Sequence, residues 1–213
     1  MSDKTSRRRD AARNRERLLT AATELFKARG LEATLNDIAH HAGVGVATAY
    51  RNFANKEEVV QALFRDRLEA MIERAELALE EEDAWVGLVG YLKHSMQAKR
   101  DDRALAELLG SPDLAGELAD QARDRLGVLT NALVRRAQSQ GALRTDVTGT
   151  DTVFMEVGLN AVVDRTRDAA PDLYCRLLAV FLDGLRARGE NTVLVPEPLS
   201  VEATHNVMRG RQR

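Results

Sequence analysis

Apolar residues recur along most of this chain at the three- and four-residue spacing that marks one face of an α-helix. Leu18, Leu19, Ala22, Leu25 and Phe26 form such a stripe within residues 13–29, and Gly30 supplies a stop. Two short helices are predicted at 35–42 and 46–53. A long one follows at 56–79, carrying Val60, Leu63, Phe64, Met71, Ile72, Ala75 and Leu79. Asn55 and Glu58 are spaced as a capping pair at its start. Further helices are predicted at 84–99, 102–109, 113–140, 150–168 and 172–188. Ser111-Pro112 reads as a cap with proline in the first turn, and Gly141 and Gly189 read as stops. No stretch alternates with period two, so the expected fold class is all-α, without a sheet.

The stretch from Thr34 to Phe53 holds the most specific pattern. Thr34 is a good N-cap with Asp37 three positions on. Ile38, Ala39 and Ala42 give the first short helix an apolar face. Gly43 permits a tight turn, Val44 can fill the corner, and a second helix presents Thr48, Tyr50 and Arg51. Two short helices joined by a three- or four-residue turn containing glycine form a helix-turn-helix. Entry into a DNA major groove, about 12 Å wide, favours small residues at the start of the second helix, and Gly45, Val46 and Ala47 are small. Hydroxyls and cations at Thr34, Thr48, Tyr50 and Lys56 suit the phosphates on either side.

Charge sharpens this picture. The 213 residues carry a net charge of −2. Residues 1–56, however, hold 11 Lys+Arg against 6 Asp+Glu, leaving 20 against 27 for the rest. A basic N-terminal part on an acidic body suits a polyanion partner for that part alone. The domain reading is then a disordered basic arm at 1–12, a DNA-binding domain of three helices at 13–56, a helical effector-binding and dimerisation bundle at 57–189, and a flexible tail at 190–213.

From Arg13 to Phe64 the chain resembles the tetracycline-repressor (TetR) family of regulators. The resemblance rests on Ala21-Ala22, Leu25-Phe26, Gly30, Thr34, Ile38-Ala39, Ala42-Gly43-Val44, Thr48, Tyr50, Phe53, Lys56 and Glu57. It implies that Tyr50 and Lys56 contact phosphates, that Val46, Ala47, Thr48 and Ala49 face base edges, that Thr34 and Thr48 anchor the DNA backbone, and that Arg51 belongs to the same surface. Gly45 stands where the family commonly has serine, and Ala47 where it has glycine. Glycine remains an acceptable N-cap. The resemblance also implies a C-terminal bundle that binds a small molecule and forms a homodimer on a two-fold-related operator.

Within the bundle, the candidate ligand-pocket residues are Trp85, Tyr91, His94, Met96, Leu129, Phe154 and Asn160. Gly87 and Gly90 could make room for a ligand or for a close helix contact. The last two long helices are apolar on more than one face, which nominates Val153, Val157, Ala161, Leu177, Phe181 and Leu185 for the dimer interface. Cys175, the one cysteine, reads as a buried inert thiol, and His40 and His41 as surface residues. No cofactor or metal is expected. No nucleophile–base arrangement, phosphate loop or dinucleotide fingerprint argues for an enzyme. No apolar run approaches the length of a membrane span and no signal core is evident, so the cytoplasm is the expected location. An activator, or a DNA-binding protein without a ligand, stays open as an alternative to a ligand-released repressor.

Overall fold

A computed structural model describes the backbone of residues 2–110 and 116–208, with side chains for 9–110 and 117–208. Its described residues form helices α1 (Ser2–Arg29), α2 (Leu35–His41), α3 (Val46–Asn52), α4 (Lys56–Glu80), α5 (Ala84–Asp101), α6 (Arg103–Gly110), α7 (Gly116–Ser139), α8 (Gly149–Thr166), α9 (Leu173–Leu185) and α10 (Val201–Met208). No strand occurs among them, only an isolated antiparallel bridge between Leu143 and Arg186. The cap expected at Ser111-Pro112 lies outside the described residues.

Two expectations differ from this outcome. Residues 2–12, read as a disordered arm, continue α1. Their arginines and alanines are good helix formers, and a helix nucleated against the domain extends at little cost. The supposedly loose tail contains α10. Ser200 caps it, its Oγ accepting from the Ala203 N–H at 3.1 Å, and the helix docks Thr204 into the body of the protein.

Helices α1 to α3 share a small core in which Leu18, Ala22, Phe26, Ile38, Ala39, Ala49 and Phe53 are all buried. Thr34 starts α2 with a full capping box: its hydroxyl accepts from the Asp37 N–H, and the Asp37 carboxylate accepts from the Thr34 N–H at 2.8 Å. The Thr34 hydroxyl also donates to Asp37, which lowers the Asp37 carboxyl below its usual range and keeps the cap ionised. Gly43 turns the corner at φ 60°, a left-handed conformation that costs a side-chain-bearing residue strain. Arg17 of α1 clasps this turn, donating to the carbonyls of Ala42 at 2.6 Å and Gly43 at 3.2 Å.

The effector bundle is built on α4, which packs chiefly against α7 and α5, with α8 and α9 paired behind. Phe26 and Phe64 join the two parts, their rings 6.3 Å apart. The choice left open for Gly87 resolves toward packing, since a Cβ there would lie 2.3 Å from the Ala78 carbonyl oxygen of α4. Gly90 has open space around it.

Candidate nucleic-acid interface and effector cavity

Helix α3 presents two unlike faces. Val46, Ala49 and Phe53 follow the spacing of an inward stripe. Ala49 is fully buried, so it packs against α1 and α2 and faces no base edge, contrary to the expectation. Val46 is half-buried and packs on the same core. Gly45, Ala47, Tyr50 and Arg51 are exposed, and Thr48 is partly so. The outward face is therefore Ala47, Tyr50 and Arg51, one turn apart, with Gly45 leaving the N-terminal end narrow.

The cations around this face are already organised. Arg15 stacks over the Phe53 ring, 4.2 Å from its centroid, and donates to the Asn52 carbonyl at 3.3 Å. Arg51 Nε donates to the Ala47 carbonyl at 3.1 Å. Lys56 Nζ donates to the Leu31 carbonyl at 2.8 Å, which holds the start of α4 against the end of α1 and leaves two further N–H groups. Thr34 stands exposed with its hydroxyl held in the capping box. His41 is also exposed and meets Glu24 at 2.8 Å. Arg15 and Arg17 are the residues the sequence reading missed here. They stand three residues and one residue before Leu18, where the apolar stripe of α1 begins, and become a signal only once their partners are known, Asn52 and Phe53 for Arg15 and the Ala42–Gly43 turn for Arg17.

In the bundle, a cavity of about 120 Å³ lies between α4, α5, α6, α7, α8 and α10. Met71, Leu109, Leu126 and Val153 supply apolar wall. Of the expected pocket residues, Tyr91 and Asn160 line it. The others do not. His94 is on the outer face of α5. Trp85 lies far along α5 from the cavity, under the Arg186 guanidinium at 4.1 Å. Met96 is fully buried in the core, Leu129 packs against that core, and Phe154 is half-buried. His94, Met96, Leu129 and Phe154 each stand next to a lining residue, so a one-residue error in helical phase removes them, whereas Trp85 lies at the other end of α5.

The sequence reading missed the polar wall. Lys99 and Glu156 form a buried ion pair, Lys99 Nζ donating to Glu156 Oε2, and Ser95 Oγ donates to the same oxygen at 3.1 Å. Thr130 donates to the Tyr91 hydroxyl at 3.3 Å, and burial raises the Tyr91 pKa so that the phenol stays protonated. A signal existed: Glu156 is the one charged residue between Thr152 and Val163, an otherwise apolar or neutral run.

Helix α6 links the cavity to the DNA-binding part. Ala106, Leu109 and Gly110 line the cavity, while Glu107 Oε2 accepts from the Leu31 N–H at 2.6 Å. Gly30, at φ 67°, lets that carboxylate sit against its Cα; a Cβ there would fall 2.1 Å from it. Arg103 holds the other Glu107 oxygen at 2.9 Å.

The α8–α9 pair leaves an apolar surface open to solvent, with Val157, Leu173, Val180 and Phe181 at 41%, 39%, 65% and 45% exposure. Ala161 is exposed beside them, while Leu177 and Leu185 are half-buried against the protomer's own core. Val153 and Val157 also line the cavity. Cys175 is exposed, not buried as expected; α9 turns it away from the stripe of Tyr174, Leu178 and Leu182. No group of three or more metal-ligating side chains occurs among the described residues, and none of their helices is long and apolar enough to cross a membrane.

Comparison with known proteins agrees with this geometry. Residues 18–63 match the family of bacterial regulatory proteins of the tetR type, and residues 83–187 match a domain described as the C-terminal domain of SbtR-like transcriptional regulators. The chain is 32% identical over 139 residues to the HTH-type transcriptional regulator SrpR of Pseudomonas putida, covering 63% of this chain and 65% of that one. It is 37% identical over 70 residues to the HTH-type transcriptional repressor KstR2 of Mycolicibacterium smegmatis, covering 32% and 34%. The matched region thus spans less than two thirds of either relative. Among solved structures, the TetR regulator SCO0520 of Streptomyces coelicolor superposes with a TM-score of 0.56 at 27% identity, covering 82% of this chain and 99% of that one. A TetR regulatory protein of Mycobacterium vanbaalenii gives 0.50 at 30% identity, covering 84% and 98%. The two matched ranges hold the helix-turn-helix of this chain and most of its helical bundle, and the chain belongs to the TetR family of transcriptional regulators.

Proposed function

We propose that this protein is a non-catalytic, cytoplasmic transcriptional repressor that binds a two-fold-related duplex as a homodimer and is released by a small molecule entering the bundle cavity. The observation that carries the reading is the outward face of α3, small at Gly45 and Ala47 and flanked by Tyr50, Arg51 and Lys56, in a region of residues 1–56 with 11 cations against 6 anions. Phosphate neutralisation by such a region makes the logarithm of affinity fall linearly with the logarithm of salt concentration. A duplex selected from genomic fragments and titrated across salt concentrations measures this. A flat response, or failure of selection to enrich any duplex, contradicts it.

The two faces of α3 make a sharper expectation. Ala47→Leu changes which bases are preferred, because Ala47 faces outward. Ala49→Leu overpacks the core, costing roughly 1–3 kcal/mol, and lowers the melting temperature without a new base preference. Lys56→Ala weakens binding to all sequences alike and reduces the salt slope by about one. Selection from a randomised duplex pool, beside thermal unfolding of each variant, separates these outcomes. An Ala49→Leu protein that melts normally and selects a new sequence reverses the assignment.

The open apolar face of α8 and α9 supports the homodimer. Phe181→Glu with Val180→Glu places two charges on it, and light scattering at micromolar concentration is expected to fall from dimer to monomer mass. A monomer before mutation excludes this interface.

A further inference from the structure

The cavity wall pairs its charges but leaves buried acceptor-capable atoms bare. Lys99 answers Glu156, Arg123 meets Asp120, and His205 lies 3.3 Å from Asp124. Three residues of this wall each keep a buried acceptor-capable atom that has no partner: Glu156 Oε1, Asn160 Oδ1 and Thr204 Oγ1. Glu156 is the most lopsided. Its Oε2 takes both Lys99 and Ser95, while its Oε1 takes nothing. A carboxylate accepts through both oxygens, and a buried acceptor left bare costs about 1–3 kcal/mol. Glu156 and Thr204 are 8% and 5% exposed, so bulk water does not meet that need.

These atoms specify a ligand more narrowly than the cavity alone. Resting on the effector-cavity reading above, the geometry points to an uncharged, ring-sized apolar molecule that carries an O–H or N–H donor, held by Glu156 Oε1 with Asn160 and Thr204. The donor requirement follows from the bare acceptors. Neutrality follows from the ion pairs: a carboxylate brings a second negative charge beside Glu156, and an ammonium brings a second positive charge beside Lys99, each unbalanced in a poorly solvated space. The scale of the space suits one ring: the cavity measures about 120 Å³ and is not fully enclosed, and closed apolar cavities of roughly 150 Å³ admit benzene.

Four single-ring probes of nearly equal size separate these requirements: phenol, toluene, benzoate and benzylamine. Their dissociation constants for the full-length protein come from ligand-observed NMR at neutral pH. Phenol is expected to bind at least about tenfold more tightly than toluene, the difference a hydrogen bond to a charged acceptor makes, and more tightly than both charged rings. Thr204→Val keeps the shape and removes one acceptor, so the phenol-to-toluene ratio shrinks while toluene binding holds. Glu156→Gln leaves an oxygen for Lys99 and turns an amide N–H₂ to the cavity, so preference moves from phenol toward benzaldehyde, which only accepts. Circular dichroism confirms that each variant is folded. If phenol and toluene bind alike, or a charged ring binds best, the ligand class is overturned and the effector cavity stands. If no ring binds at millimolar concentration, the effector-cavity reading falls together with it.

Discussion

Lys99→Met is expected to lower stability by about 3–5 kcal/mol, the cost of leaving one partner of a buried ion pair uncompensated. Lys99 and Glu156 are each 8% exposed, and among the described residues Lys99 is the one cation paired with the Glu156 carboxylate. Domains are stable by only about 5–15 kcal/mol, so this is a large fraction of the whole. For a chain of this length each kcal/mol shifts the melting temperature by about 2–4 °C, which makes the expected drop roughly 6–20 °C. The pair is not itself the source of that stability. Replacing both partners, as in Lys99→Met with Glu156→Leu, is expected to restore most of the loss, because a well-packed apolar pair of similar volume is often no worse than the ion pair. Thermal unfolding at one fixed protein concentration measures all four members of the cycle. A Lys99→Met protein that melts with the parent shows that Glu156 finds its compensation elsewhere.

Glu107→Ala is expected to cut the communication between cavity and DNA. Leu31 is fully buried and its backbone is held on both sides, by Glu107 of α6 at its N–H and by Lys56 of α4 at its carbonyl. Whatever shifts α6 from the cavity side pulls on that backbone. Coupling between two sites is typically worth 1–3 kcal/mol, or about 5- to 150-fold in affinity. Without the Glu107 carboxylate, an inducer found by screening against the complex of protein and selected duplex should weaken DNA binding less than about threefold, while inducer-free affinity stays near that of the parent. Glu107→Gln keeps an acceptor and rescues the response. Gly30→Val reproduces the defect from the other side, because its side chain would occupy the carboxylate's place. Hydrogen exchange at the Leu31 amide reports the same loss directly, as faster exchange. A Glu107→Ala protein with a full inducer response and a protected Leu31 amide removes this route.

The helices were legible because their causes are local. Thr34, Asn55 and Gly30 mark ends by their own chemistry, and stripes such as Leu18 to Phe26 fix which face turns inward. Ala49 shows how the same periodicity settles a site. Val46, Ala49 and Phe53 are an inward set at helical spacing, and assigning Ala49 to DNA overlooked that in favour of its neighbours. The cavity was less legible for a physical reason. A pocket is space left by several helices at once, and each supplies only one or two residues to it. Asn160 reads as a buried amide in an apolar helix and Tyr91 as a neighbour of the small Gly87 and Gly90, but Ser95 and Lys99 look like ordinary surface until α8 brings Glu156 against them. Helix α10 was hidden by Pro196 and Pro198 before it, although Val201, Thr204, His205 and Met208 repeat at the spacing of one face.

That last helix has a kinetic consequence. An isolated helix of α10's length, eight residues, is marginal in water, since helices below about 12–15 residues rarely persist alone. What holds it is docking: Thr150 donates to the Leu199 carbonyl at 3.1 Å, and His205 meets Asp124. Segments held by so few contacts open more often than the core does. Opening of α10 is therefore expected to widen access to the cavity that Thr204 and His205 help to line, so that changes at Thr150 or Asp124 alter the exchange rate of a bound molecule while changes at Glu156 alter its affinity.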